Sequence, residues 1–429
     1  MTLALPVTVS SLLQRTEGIV DVFLVCGLGA ASIAAVGVGQ LLVFVAVTVT
    51  AGLSVGATVV IAQLWGARRH TDAGEAATHV TGMALLVSLI LMAVGLAANR
   101  PAMRLLGAAP DVADLAGPYL EIIFLVIPFT ILLQVLTGIL HGTRDTRTPM
   151  YAMVGINVLH VLVAYPLIYG RWGFPNLGIN GAAWAVGISD GLGTLFLLFR
   201  CRSLFVRPGW VRWDLIRAVW DVGLPVSGER AVQQAGILLY TKIVFLYGTV
   251  AYAAHQVGLS IEAFSFMPGY GFAVAAAAMV GQSIGAGKYR RAKLENWEAN
   301  RLAALVMAAM GAVFFFFPYV LLRAFTDDRA VIELGTSFLK IVAVMQVPLA
   351  LTMVLSGSLR GAGDTRYILW ATTAGMWGVR LVLAAVAGLW LRLDLMYVWW
   401  AMVADWTVRM SLLLLRYRSE RWRGIQVIR

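Results

Sequence analysis

The chain has 429 residues, 60% hydrophobic and only 13% charged, with a mean hydropathy of +0.81. So apolar a composition excludes a soluble domain of this length and describes a polytopic membrane protein. The net charge of +11 could suggest nucleic acid, but its distribution makes it a topology signature, and two cysteines, Cys26 and Cys201, give no disulfide framework.

Apolar segments fall near 5–27, 34–64, 77–98, 116–140, 150–170, 179–199, 219–246, 252–283, 298–322, 333–358, 367–391 and 395–416. At about 20 residues per crossing, twelve helices use up the length and leave no room for a soluble domain. Helices follow from segment length, because barrel strands would alternate over about ten residues. No cleavable signal precedes the first segment, which is expected to insert as its own anchor.

That first segment carries Arg15, Glu17 and Asp21 among apolar neighbours. Ionisable groups at membrane depth are costly and face the protein interior or a water-filled path. Glu17 and Asp21 are four residues apart, one above the other on one helix face. Pro6 removes a backbone donor near the start and is expected to let the first turns bend. Pro225 and Pro268 are further hinge candidates; Pro268-Gly269 interrupts one of the long segments. The competing reading places these charges at a water interface.

Basic residues fix the orientation. With both termini on one side, the even-numbered loops, the 200–217 linker and the C-terminal tail hold twenty Lys and Arg, including Arg68, Arg144, Arg207, Arg291, Arg366 and Arg429. The opposite side holds six: Arg100, Arg104, Arg171, Arg323, Arg329 and Arg392. The imbalance puts the termini in the cytoplasm of a multi-pass cell-membrane protein.

An internal repeat follows at an offset of 219. Leu5-Pro6-Val7 maps onto Leu224-Pro225-Val226, and Gln63, Gly66 and Ala67 map onto Gln282, Gly285 and Ala286. Gly138, Gly142, Asp145, Thr146 and Arg147 map onto Gly357, Gly361, Asp364, Thr365 and Arg366. Six crossings per half make these parallel repeats, with an axis along the membrane normal and a cavity between them. The expected fold is all-α, twelve transmembrane helices in two six-helix bundles related by pseudo-twofold symmetry. The bundles span 1–199 and 219–429, joined by a basic cytoplasmic linker at 200–218.

The runs Ala253-Ala254-His255-Gln256-Val257-Gly258, Phe266-Met267-Pro268-Gly269-Tyr270-Gly271-Phe272 and Val280-Gly281-Gln282-Ser283-Ile284-Gly285-Ala286-Gly287 resemble the multidrug and toxic compound extrusion (MATE) family. So do Leu359-Arg360-Gly361-Ala362-Gly363-Asp364-Thr365 and Leu177-Gly178-Ile179-Asn180-Gly181-Ala182-Ala183. The spacing of Pro6 and Asp21, with Glu229 just after Gly-Leu-Pro, is similar to the archaeal-type and DinF-like branch. The resemblance implies two bundles, no covalent cofactor, and export of organic substrates driven by proton or sodium entry.

One departure from that branch matters. Its fifth helix carries an Asn followed four residues later by an Asp; here the Asn falls on His160 or Val161 and the Asp on Ala164 or Tyr165. A lost carboxylate and a gained imidazole argue for protons over sodium, with Glu17 supplying the missing acid. Asp21, Glu17 and His160 are therefore the expected ion-coupling group. Candidate cavity residues are Tyr119, Gln134, Asn157, Asp190, Glu229, His255 and Glu262, a hydrogen-bonded structural role being the alternative for His255. Lys242, Lys340, Arg380, Asp405 and Arg409 also fall in apolar segments, where some long basic side chains are expected to snorkel to the interface.

Enzyme readings find little. Gly52-Leu53-Ser54-Val55-Gly56 matches Gly-x-Ser-x-Gly but lies inside a membrane helix, where Gly52 and Gly56 read as a packing face. No P-loop and no zinc spacing occurs. The expected function is efflux of amphiphilic, often cationic, drugs or toxins in exchange for protons, by alternating access. A lipid-linked-sugar flippase of the same wider superfamily is the alternative. Expected partners are those small molecules, protons and the lipid bilayer, with no nucleic acid and no obligate protein partner; no metal is expected.

Overall fold

The computed structural model describes residues 3–105, 110–206, 210–425 and 427. Two basic residues of the topology count, Arg207 and Arg429, lie outside them. Among the described residues the chain is helical throughout, in twelve membrane-crossing segments. The first six are α1 (Ala4–Val25), α2 (Ala30–Gly66), α3 (His70–Leu105), α4 (Pro110–Gly142), α5 (Arg147–Tyr169) and α6 (Ile179–Cys201). The rest are α7 (Trp213–Phe245), α8 (Thr249–Gly285), α9 (Tyr289–Phe316) with the short α10 (Pro318–Arg323), and α11 (Arg329–Gly361). A composite helix follows, made of α12 (Thr365–Thr373), α13 (Leu381–Ala385) and the π-helical segments Ala374–Arg380 and Val386–Trp390, and then α14 (Leu395–Arg418). Ten of the twelve are long and apolar enough to cross a membrane. The other two, α1 and α7, carry the ionisable residues read above as functional.

The repeat is reproduced in the backbone. α2 and α8 begin and end 219 residues apart, as do α4 and α11. Gly29, before α2, has φ 99° and ψ 171°, and Gly248, before α8, has φ 98° and ψ 172°. A side chain is strained at such a φ, so both sharp entries use glycine. Packing repeats too. A Cβ on Gly138 would overlap the carbonyl oxygen of Ser54, and one on Gly357 would overlap that of Ala273, the matching residue. Glycine thus lets α4 lie directly on α2, and α11 on α8.

The described residues form two compact units. One runs from residue 9 to 223, the other combines residues up to 8 with those from 224 onward. In the first, α4 is the central helix, contributing Leu120, Ile127, Ile131, Leu136 and Ile139, all fully buried. In the second the same place belongs to α11, whose Phe338, Leu339, Met345 and Leu349 join Met307 of α9 and Trp399 of α14.

These units refine the expected boundaries. The start of α1 packs with the second unit, where Ala4 belongs to the hydrophobic core. The stretch expected as a linker is tied to α3 within the first unit. Thr78 donates to the Val206 carbonyl at 2.9 Å, and Arg212 pairs with Glu75 at 3.0 Å and Asp72 at 3.3 Å. His79 Nε2 accepts the Arg212 backbone N–H at 3.1 Å. Basic composition gave no sign of these carboxylate partners.

Candidate functional site

α1 presents Glu17 and Asp21 on one face, as their spacing requires, and α5 brings His160 to them. His160 Nε2 lies 2.8 Å from Asp21 Oδ1, and its Nδ1 stands 4.0 Å from Glu17 Oε1. His160 is 1% exposed and Asp21 7%, so neither is an interfacial group. With Nε2 donating to Asp21, Nδ1 is left facing Glu17 with no hydrogen-bond partner among the described residues. A proton on Nδ1 makes the ring an imidazolium between two carboxylates; a proton on Glu17 leaves it neutral.

Asp190 of α6, expected as a cavity residue, belongs to this cluster as well. It is buried, its Oδ2 accepts from Thr130 Oγ1 of α4 at 2.6 Å, and its charge acts on Glu17 and on His160. Three carboxylates and one imidazole therefore share one largely buried site. Full ionisation would leave net negative charge in a low dielectric, which favours occupancy by protons or by a cationic guest.

Tyr119 of α4 is buried with its ring against Gly39 of α2, where any larger residue would displace it, and the Asp21 charge reaches it. The Gln134 backbone carbonyl accepts from Ser54 Oγ at 2.8 Å, while its buried Oε1 has no partner among the described residues. The same bond engages the hydroxyl of the Gly-x-Ser-x-Gly match in packing between α2 and α4. Asn157 donates to the Met153 carbonyl of its own helix at 3.0 Å and is not drawn into the cluster.

The second unit holds a polar site of different character. Glu229 of α7 binds Arg360 of α11, whose Nη2 donates to both carboxylate oxygens at 2.8 and 2.7 Å. Asp405 and Arg409 of α14, one turn apart, pair at 2.5 and 2.9 Å. Arg409 also donates to Gln233 of α7 at 3.3 Å, and Arg380 Nε lies 2.8 Å from Asp405 Oδ2. Arg380 and Arg409 are 5% and 2% exposed, so these two do not snorkel, whereas Lys242 and Lys340 are exposed. The π-helical segment and Gly375 explain the fit. The segment ends on Arg380, and a Cβ at Gly375 would overlap the Asp405–Arg409 pair. Asp405 and Arg409 stand at i, i+4, a spacing that signals an ion pair on a membrane helix. Nothing local pointed to Arg360, which meets Glu229 from 131 residues away.

His255 packs edge-on between Tyr240 and Phe338, with centroids 5.8 and 5.3 Å away, which favours its structural alternative. Glu262 is buried with Oε2 unpartnered. Of the hinge candidates, Pro6 is the third residue of α1. It lies in the first turn, where a helix has orphan N–H groups anyway, so it interrupts no ladder here. Pro225 and Pro268 are interior to α7 and α8 and each removes one i→i−4 bond.

Comparison with known proteins gives the same two halves. The MatE family model matches residues 6–166 and again 225–386, each match opening on a repeat proline. The chain is 30% identical over 425 residues to the probable multidrug resistance protein NorM of Thermotoga maritima, covering 98% of this chain and 92% of that one. It is 29% identical to the multidrug resistance protein PmpM of Pseudomonas aeruginosa, covering 91% and 83%. A crystal structure described as MATE in the straight conformation superposes with a TM-score of 0.91 at 22% identity, over 99% of this chain and 96% of that one. The twice-matched family model, full-length relatives and shared fold together establish that the chain belongs to the MatE family of membrane transporters.

Proposed function

We propose that the protein is a proton-coupled exporter of amphiphilic, often cationic, organic compounds, working by alternating access with both termini in the cytoplasm. The observation that carries this reading is His160, bound to Asp21 at 2.8 Å and set 4.0 Å from Glu17. A hard cation such as sodium takes oxygen ligands, whereas an imidazole beside two carboxylates is suited to moving protons. The drug-resistance names of the relatives support the substrate class.

A cationic drug and a proton compete for the same negative charge. The ionised cluster attracts the drug; proton entry neutralises it and weakens those contacts. Protonation favours a different conformation only in proportion to its differential affinity for the two states. The helix that changes is α1, which bears both acids. Efflux by the wild type and by Asp21→Asn in cells, at matched expression and imposed pH gradient, tests this. The mutant is expected to keep its fold and lose coupled export. Near-normal pH-driven efflux by Asp21→Asn would place coupling elsewhere.

A further inference from the structure

The two units contain counterpart sites of opposite polarity. At the repeat offset of 219, Glu17 becomes Gly236 and Asp21 becomes Tyr240. In α14, where the offset is 215, Asp190 keeps its acid, as Asp405, but exchanges a threonine partner for two guanidinium groups. Asp405 can neutralise one of them, and Arg409 takes it through two aligned hydrogen bonds. Arg380 is left with a misaligned Nε contact and a buried Nη2 that has no hydrogen-bond acceptor among the described residues. Its guanidinium lies beside the rings of Tyr240 and Trp406, 5.6 and 5.7 Å from their centroids. A guanidinium always carries its charge, and a buried N–H group of one left without an acceptor is costly. The remaining carboxylate on which its charge acts is Glu262, whose Oε2 is itself unpartnered.

We propose that Arg380 is a receptor for one small anionic group, which lets this unit hold the acidic end of an organic anion or zwitterion. The chemistry is that of a carboxylate or a halide accepting from Nη2 beside two aromatic faces, with Glu262 as its internal competitor. This rests on the export reading above and extends its substrates beyond cations.

The test uses rhodamine 110, which bears a free carboxyl group, and its methyl ester, which does not. Binding of each to purified, detergent-solubilised full-length protein is measured by fluorescence anisotropy, with benzoate and chloride as competitors. The ratio of acid to ester affinity should fall about tenfold in Arg380→Gln, the worth of one charge-assisted hydrogen bond. It should rise in Glu262→Gln, which keeps Arg380 and serves if the first variant does not fold. Competition by benzoate assigns the anion to the substrate's carboxylate, and competition by chloride alone assigns it to a free halide. An unchanged ratio in both variants overturns the inference, as does wild-type protein that binds the ester but not the acid. Wild-type cells that fail to export the ester under an imposed pH gradient, with the binding ratio behaving as stated, would count against the export reading alone.

Discussion

Asp190 and Asp405 stand 215 positions apart at matching places in α6 and α14, both buried, and their carboxylates answer to opposite partners. One accepts a threonine hydroxyl and the other is clasped by two arginines. The offset falls from 219 to 215 because the loop before α14 is shorter than the loop before α6; Trp184 and Trp399 keep the same register. The duplicated framework therefore carries an acidic cluster in one unit and a basic one in the other.

The basic cluster depends on its single shared acid. Asp405→Asn removes the carboxylate that both buried arginines contact, and breaking a buried pair costs about 3–5 kcal/mol. We expect a large loss of monodisperse protein and a lower melting temperature in detergent, while Asp214→Asn, half-exposed at the start of α7, changes little. A melting temperature unchanged by Asp405→Asn would contradict the ion-pair geometry.

The repeated helix contact is equally sensitive. Gly357→Ala forces a methyl group into the backbone of Ala273, and Gly138→Ala does the same to Ser54. Overpacking of this kind costs about 1–3 kcal/mol. Thermal unfolding of the two variants should show similar losses, because the two contacts are copies of one another. A loss confined to one variant would break the equivalence.

These contacts also mark how far the sequence could be read. Each apolar segment became one crossing, and the helices run several residues past it because their polar ends lie outside the apolar stretch. Glu17, Asp21 and His160 were legible because charges in apolar segments are rare and the i, i+4 spacing fixes a shared face. Asp190 was named but assigned to the cavity, since periodicity does not say which helix a buried acid will meet. Arg360 and Arg380 were invisible as partners. A lone arginine in an apolar stretch reads the same whether it snorkels or pairs, and only tertiary packing separates the two.

Orientation is tested at Trp210, which is 89% exposed within the 200–217 segment. Trp210→Cys, in a background lacking Cys26 and Cys201, should react with an impermeant maleimide only in inverted vesicles. Labelling from outside intact cells would reverse the orientation inferred from the basic loops.

The titrating cluster makes paired predictions. Glu17→Gln removes one negative charge from the cluster, and the pH optimum of efflux moves down. His160→Ala removes the imidazole that offsets the acids, and the optimum moves up. Efflux rates across a pH series should show the two displacements in opposite directions. Unmoved optima in both variants would leave Asp21 as the sole coupling residue.

The central claim is that export is exchanged for protons at the Asp21–His160–Glu17 cluster. Its most direct test is substrate-dependent proton release from purified protein in liposomes, repeated with all sodium replaced by choline. The account predicts proton release on substrate addition that is undiminished in choline and absent in Asp21→Asn. Release that disappears with sodium, or that persists in Asp21→Asn, would contradict it.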